Sequence, residues 1–417
     1  MNLQKLWVSA IAICLTCLSY GQAINSPYSN NGLGELQYQG LPHNVAMGEV
    51  GIAMPTAWHI NLQNPALLTA NTFSTFQVGI TGDTRRYETD LTTDQSSGVS
   101  LRFLALSFPV VRNRWTAALA LLPLSTVKYN TFSQDSIDDV TNGVTQFEGE
   151  GGLSQLVWAN GFRIYKSLTV GVKASYVFGL IDRKYRALLN SDEFATNYAV
   201  SYLESTSYSD FNVSFGVSYR ATIGERKYIN LGGTYELSQA LDGTQDQYLQ
   251  RLALSGATLQ SQTIAEEVPT EFSLPRAYGL GISYENLNSF KIGVDVVSQD
   301  WESVNEGRND LRNTLKIAAG LEWIPDYQSV NSYFKRTTLR LGISSKQLPY
   351  LVNNTEINDF GINFGASFPV SGYSSMDTAF KFGLRGTTDN NLIREEYFQV
   401  VIGATINDRW FIKRRYD

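Results

Sequence analysis

The sequence predicts an all-β chain, a transmembrane antiparallel β-barrel of about fourteen strands with an N-terminal hatch, or plug, inside its bore. Three observations predict it. Residues 359–368, D-F-G-I-N-F-G-A-S-F, alternate strictly between apolar and small or polar, and similar alternating segments recur from about Thr72 to Asn407. The connections between alternating segments run short and long in turn. The chain also opens with what reads as an export signal.

The signal is justified first. Lys5 supplies the positive start, residues 6–18 the apolar stretch, and Ser19-Tyr20-Gly21 the small residues of a cleavage site before Gln22. Cys14 and Cys17 would leave with it, because neither follows the small residue that lipid attachment prefers. The mature chain then has no thiol, and no disulfide framework is expected. Domain bounds follow as signal peptide 1–21, hatch 22–71, barrel 72–406 and a basic-aromatic tail 407–417.

Residues 22–71 do not alternate. Gly and Pro punctuate them, so compact loops with a helical turn or two are expected. The stretch is too apolar for a free tail, and the bore is the place that would bury it.

The barrel rests on period two. Phe360, Ile362, Phe364, Ala366 and Phe368 share one strand face; Gly361, Asn363, Gly365 and Ser367 share the other. A soluble sandwich would cover the apolar face with a second apolar sheet. Here the wet faces carry Lys and Glu, so lipid is the expected solvent of the apolar one. Register can be argued from cost: a one-residue slip would move Lys316 from the lumen into lipid, at roughly 2–4 kcal/mol near the midplane. Lys173, Lys291, Arg340 and Lys381 repeat the pattern. Aromatics for interfacial girdles are plentiful, with 23 Tyr, 21 Phe and 7 Trp, and charged residues are only 17%. Short turns on one side and long loops on the other place both termini in the periplasm of a Gram-negative outer membrane. Residues 325–336 break the rule, being a long connection where a short one is due, and residues 238–274 are expected to be a long loop able to clasp a partner.

Asn64-Pro65-Ala66, at the end of the hatch, is similar to the Asn-Pro-Ala element of the FadL-like (OMPP1/FadL/TodX) outer-membrane transporters. Ser26-Pro27-Tyr28-Ser29, Gly32-Leu33-Gly34 and Ala46-Met47-Gly48 resemble the branch of that family common in Bacteroidetes. The resemblance implies fourteen strands, a hatch, a hydrophobic ligand such as a long-chain fatty acid, and a sideways exit at a kinked third strand. It would place that exit at Pro123, and the hatch ligand contacts at Met54, Trp58, Leu62 and Leu67. It also implies a second role, since barrels of this kind look like accessory subunits of larger outer-membrane machines, such as type 9 secretion or barrel assembly.

Other chemistry finds little support. His43 and His59, the only histidines, fall in the hatch, so no strand or rim histidine could serve a hydrolase triad. Two histidines sixteen residues apart suggest hydrogen bonding in the plug before a zinc site. Asp135, Asp138 and Asp139 read as solvated loop charges rather than calcium ligands. With a net charge of −6 and no basic stripe, nucleic acid is not an expected partner. No cofactor is expected. The expected partners are a hydrophobic small molecule or lipid, the surrounding outer-membrane lipid, and other outer-membrane proteins.

Overall fold

The computed structural model describes residues 24–409 except 91, 137–140, 192–197, 254 and 305–310. The signal segment with Cys14 and Cys17, the acids Asp138 and Asp139, and residues 410–417 of the tail lie outside the described residues.

The alternating stretches pair in sequence order. Among the described residues they form fourteen antiparallel barrel strands. These are β1 (Ser74–Glu88), β2 (Thr93–Val111), β3 (Trp115–Pro123 continuing as Ser125–Ser136), β4 (Thr141–Arg163) and β5 (Leu168–Ser191). Next come β6 (Tyr198–Gly224), β7 (Lys227–Glu236 and Gln239–Ala253), β8 (Thr258–Leu274 and Ala277–Asn286) and β9 (Phe290–Gln299). The last are β10 (Thr314–Trp323), β11 (Thr338–Val352), β12 (Thr355–Ser371), β13 (Ser374–Arg385) and β14 (Arg394–Asp408). The sheet closes where β14 pairs with β1 from Arg394↔Glu88 to Asp408↔Ser74, so neither terminal strand has a free edge there.

The register puts charge inside. On β10, Leu315, Ile317, Leu321 and Trp323 are 39–48% exposed on the outer face, while Ala318 points inward and is buried. Arg340 and Lys381 are also buried in the bore. Phe360, Ile362 and Phe364 face outward, and Phe364, Phe380, Phe382 and Phe398 stack across β12–β14 on that outer surface. This apolar skin is what a strand barrel presents to lipid.

Residues 238–274 are not a loop. They form the second segment of β7 and the first of β8, a hairpin paired from Gln239↔Leu274 to Leu252↔Thr258 and docked along β6. Above the apolar belt no face must meet lipid, so strands there can be polar on both faces and alternation disappears. Likewise β4, β5 and β6 run to 23, 24 and 27 residues, well past the expected membrane segments.

Inside the bore lie residues 24–71. They contain a 3-10 turn at Pro27–Asn30, a two-residue extended pair Glu35–Leu36, one helical turn at Pro42–Val45 and a 3-10 helix at Pro65–Ala70. Proline opens all three helical turns, where its missing N–H costs nothing. The wall makes room for this backbone with inward glycines. A Cβ on Gly161 or Gly171 would collide with the Pro65-Ala66 backbone, one on Gly216 with the Asn64 side chain, and one on Gly232 with Ile52. On the opposite wall, a Cβ on Gly320 or Gly342 would strike Met47. These glycines lie on β4, β5, β6, β7, β10 and β11, so the segment is gripped from both sides.

Candidate functional site: the filled bore and its seam

Residues 22–71 contain two charged residues, Glu35 and Glu49. Each carboxylate is held between two cations of the wall. Glu49 accepts from Lys316 of β10 and Lys381 of β13, both at 2.8 Å. Glu35 accepts from Arg85 of β1 at 2.7 Å and from Arg385 of β13 at 2.8 Å. Burial alone would raise both carboxyl pKa values; the paired cations outweigh it and hold both acids well below the usual carboxylate range. Asp295 of β9 adds a third tie, accepting from the backbone N–H groups of Gly51 and Ile52 at 2.6 and 2.8 Å.

Asn64 fastens the end of the segment. Its side chain caps the 3-10 helix by accepting from the Ala66 N–H at 3.1 Å. Its amide donates to Ile52 O at 2.9 Å and to Val217 O of β6 at 3.0 Å. Pro65 and Ala66 lie against Gly171. The whole triplet therefore docks on the β4–β6 wall.

The two histidines meet. Their rings stack at 4.6 Å, and His59 Nε2 sits 3.0 Å from Asp377 Oδ1 on β13. Asp377 also takes hydrogen bonds from Ser367, Ser375 and Thr405. Neither nitrogen of buried His43 has a protein partner, and burial pushes its pKa well below the ordinary value.

At the short-turn end, a cavity of about 730 Å³ opens between the segment and the wall. Its lining sets a row of ions among apolar side chains such as Trp58, Leu287, Phe290 and Ile324. Arg220, Glu285, Lys291, Glu322 and Arg340 form a chain of alternating charge, with contacts of 2.7, 3.4, 3.4 and 2.8 Å. Such a surface offers charge and apolar area side by side. Apolar space deeper in the bore is taken by protein. Leu41, Ile60, Leu62 and Leu68 pack on Phe103, Ala118, Leu122 and Val157 of β2–β4, and a second cluster gathers Leu33, Val127, Tyr129, Leu153 and Ile181.

The wall has a seam at its third strand. Below Pro123, β3 pairs with β2, for example Leu104↔Leu121. Proline has no N–H for the ladder, and the strand turns inward at Leu124. There residues 124–126 face only residues 152–153 of β4, a bulge. Gly152, at φ +142°, leaves room for the Ser125 carbonyl, which any Cβ would strike. Above the break, no pairing of β3 with β2 occurs among the described residues. The N-terminal segment takes that edge instead, with Leu36↔Ser125 and Glu35↔Thr126, Gln37 N–H donating to Leu124 O at 2.9 Å, and Ser26 N–H to Lys128 O at 2.7 Å.

The residues named from sequence are thus dispersed. Asn64, Pro65 and Ala66 pin the segment, and Pro123 borders the seam. Met54 is buried with Met47, Val50 and Ala318, and Leu62 lies in the β2–β4 cluster. Leu67 is buried. Trp58, clustered with Phe73 and Tyr373 at 5.6 and 5.0 Å, borders the same cavity. Sequence reasoning missed the Glu35 and Glu49 clamps, although two lone acids in an otherwise uncharged stretch, facing a bore with inward Lys and Arg, were the available signal.

A family model described as BamG matches residues 3–417. Among solved structures, the chain is similar to the Ralstonia pickettii toluene transporter TbuX, with a TM-score of 0.59 and 14% identity over 89% of this chain and 99% of that one. It is similar to the Pseudomonas putida toluene transporter TodX, with a TM-score of 0.59 and 15% identity over 89% and 100%. It is also similar to a Pseudomonas aeruginosa FadL homologue, with a TM-score of 0.55 and 12% identity over 93% and 99%. At these identities the likeness is one of fold: a FadL-like barrel. No curated protein matches the chain.

Proposed function

The chain belongs to the BamG family, and from that premise we propose that it is a stoppered outer-membrane barrel serving as a fixed accessory subunit of a larger outer-membrane assembly, with its short-turn end in the periplasm. The barrel-assembly machinery is the assembly this reading favours. The observation that carries it is the double clamp, in which Glu35 and Glu49 each sit buried between two wall cations. Moving the segment would strand Lys316 and Lys381 and two carboxylates, at several kcal/mol for each unpaired group, while Arg85 and Arg385 would keep Glu395 and Asp359. A hatch built to shift for each ligand would not be fastened in that way.

A second reading, passive uptake of hydrophobic molecules, has one feature in its favour. The seam at Pro123 lies in the third strand, and the similar structures TbuX and TodX are toluene transporters. Met54, Leu62 and Leu67 would then need to leave their packing to touch ligand.

Gentle detergent extraction from native membranes, followed by sizing and mass spectrometry of every co-eluting component, separates the two. A large assembly of constant stoichiometry without bound lipid-like ligand is the expected result. A lone barrel carrying hydrophobic ligand would overturn the subunit reading.

A further inference from the structure

We propose that the short-turn end of the barrel is the docking face for an acidic segment of a periplasmic protein. The inference rests on the subunit reading above and on its placing that end in the periplasm.

Charge on this molecule is separated along the barrel axis. The chain as a whole is acidic, at −6. Yet the turns after β2, β4 and β6 expose Arg112, Arg114, Lys166, Arg226 and Lys227 against the exposed acid Glu225. The connection after β10 adds exposed Lys335 and Arg336 against Asp326. At the opposite end the exposed acids Asp90, Asp94, Glu266, Glu267, Glu302 and Glu356 outnumber the exposed cations Arg86, Arg251 and Arg312. A basic end on an acidic chain is a local field that selects an anionic partner.

The long connection after β10 carries the second observation. It is ordered: Asp326 N–H donates to Lys335 O at 2.8 Å, Gln328 N–H to the Asp326 carboxylate at 3.1 Å, and Tyr333 OH to Pro369 O at 2.9 Å. Despite that order it leaves Val330 92% and Phe334 75% exposed. Tyr327, Gln328 and Arg336 of the same connection border the cavity, so it leans over the mouth of the bore and not out toward lipid. Exposed apolar side chains rimmed by cations are the make-up of a protein-docking patch.

The cavity mouth supplies the third. Arg163 and Arg336 border it, and neither has a carboxylate partner among the described residues. Anionic lipid headgroups would account for cations in the ring of turns. They would not account for exposed Val330 and Phe334 on a connection whose Arg336, with Arg163, stands without a carboxylate partner among the described residues at the mouth of the bore.

The test uses the full-length protein in its native membranes, with a photoreactive residue placed at Phe334, at Arg226 or, as a control, at Asp90. We expect positions 334 and 226 to yield adducts with the same protein, within a peptide rich in Asp and Glu, and position 90 to yield none with it. The double variant Lys335→Glu, Arg336→Glu should lower the adduct yield about tenfold, while the barrel keeps its heat-modifiable migration on gels. Adducts with lipid alone, an adducted peptide without acidic excess, or a yield indifferent to charge reversal would overturn the proposal. An intact assembly whose contacts map to the opposite end or the outer wall overturns the docking face and leaves the subunit reading standing. Absence of any assembly removes both.

Discussion

Glu49 and Lys381, 332 residues apart in sequence, meet at 2.8 Å inside the bore, an acid of the N-terminal segment against a cation of the thirteenth strand. Because Lys316 holds the other side of the same carboxylate, removing Glu49 strands two buried charges at once. Glu49→Gln should therefore destabilise the seated segment by about 3–5 kcal/mol. Hydrogen exchange of residues 44–54 in the variant measures it. A triple Met replacement at 49, 316 and 381 should recover most of the loss, as hydrophobic isosteres of buried ion pairs do.

The glycine grip makes a steric prediction. Gly171→Val and Gly320→Val place side-chain atoms where Pro65, Ala66 and Met47 now run. Limited proteolysis should cut the N-terminal segment much faster in both variants while the strands stay protected. Gly82→Ala, whose nearest contact would be Val99 at 3.8 Å, should behave as wild type.

Asn64→Ala removes a helix cap and two amide donors from a buried site. A loss of about 1–3 kcal/mol is expected in the local opening of residues 60–70. Asn64→Asp keeps the cap acceptor but cannot donate to Ile52 O and Val217 O, so it should not rescue.

Seating of the segment should weaken in acid in two stages. His43 is depressed below its ordinary 6.5 by burial, with His59 and Arg340 adding to the effect. The released form therefore takes up a proton that the seated form refuses, and stability falls as pH drops below about 6.5. Glu35 and Glu49, also depressed, contribute fully above their ordinary 4.5 and lose that contribution as pH falls below it. Proteolysis of the segment across pH 7.5 to 3.5 reads both stages. His43→Phe should abolish the first and leave the second.

Much of the barrel was legible because lipid imposes a rule that sequence must display. Leu315, Ile317 and Trp323 cannot exchange faces with Lys316 and Glu322 without putting charge into hydrocarbon, so the pattern survives in a single sequence. The strands lost their signature where that pressure ends. Residues 239–253 pair on both sides and 258–274 on one, but both faces meet water and nothing forces alternation. The bore was less legible for a different reason. Asn64 was identified through resemblance, whereas what it touches, Val217 O and Ile52 O, is backbone and leaves no mark on side-chain identity. The glycines at 161, 171, 320 and 342 are visible in the sequence as small residues; that they hold another part of the chain depends on closure of the cylinder.

The seam and the clamp together bear on the order in which the molecule is made. Residues 35–37, synthesised early, complete the hydrogen-bonding edge of β3, but the counter-charges for Glu49 lie on β10 and β13, synthesised late. A half-built wall has nothing to hold that acid. Seating of the segment therefore waits on the thirteenth strand, and a chain arrested before it would present an unsealed wall to the machinery that inserts it.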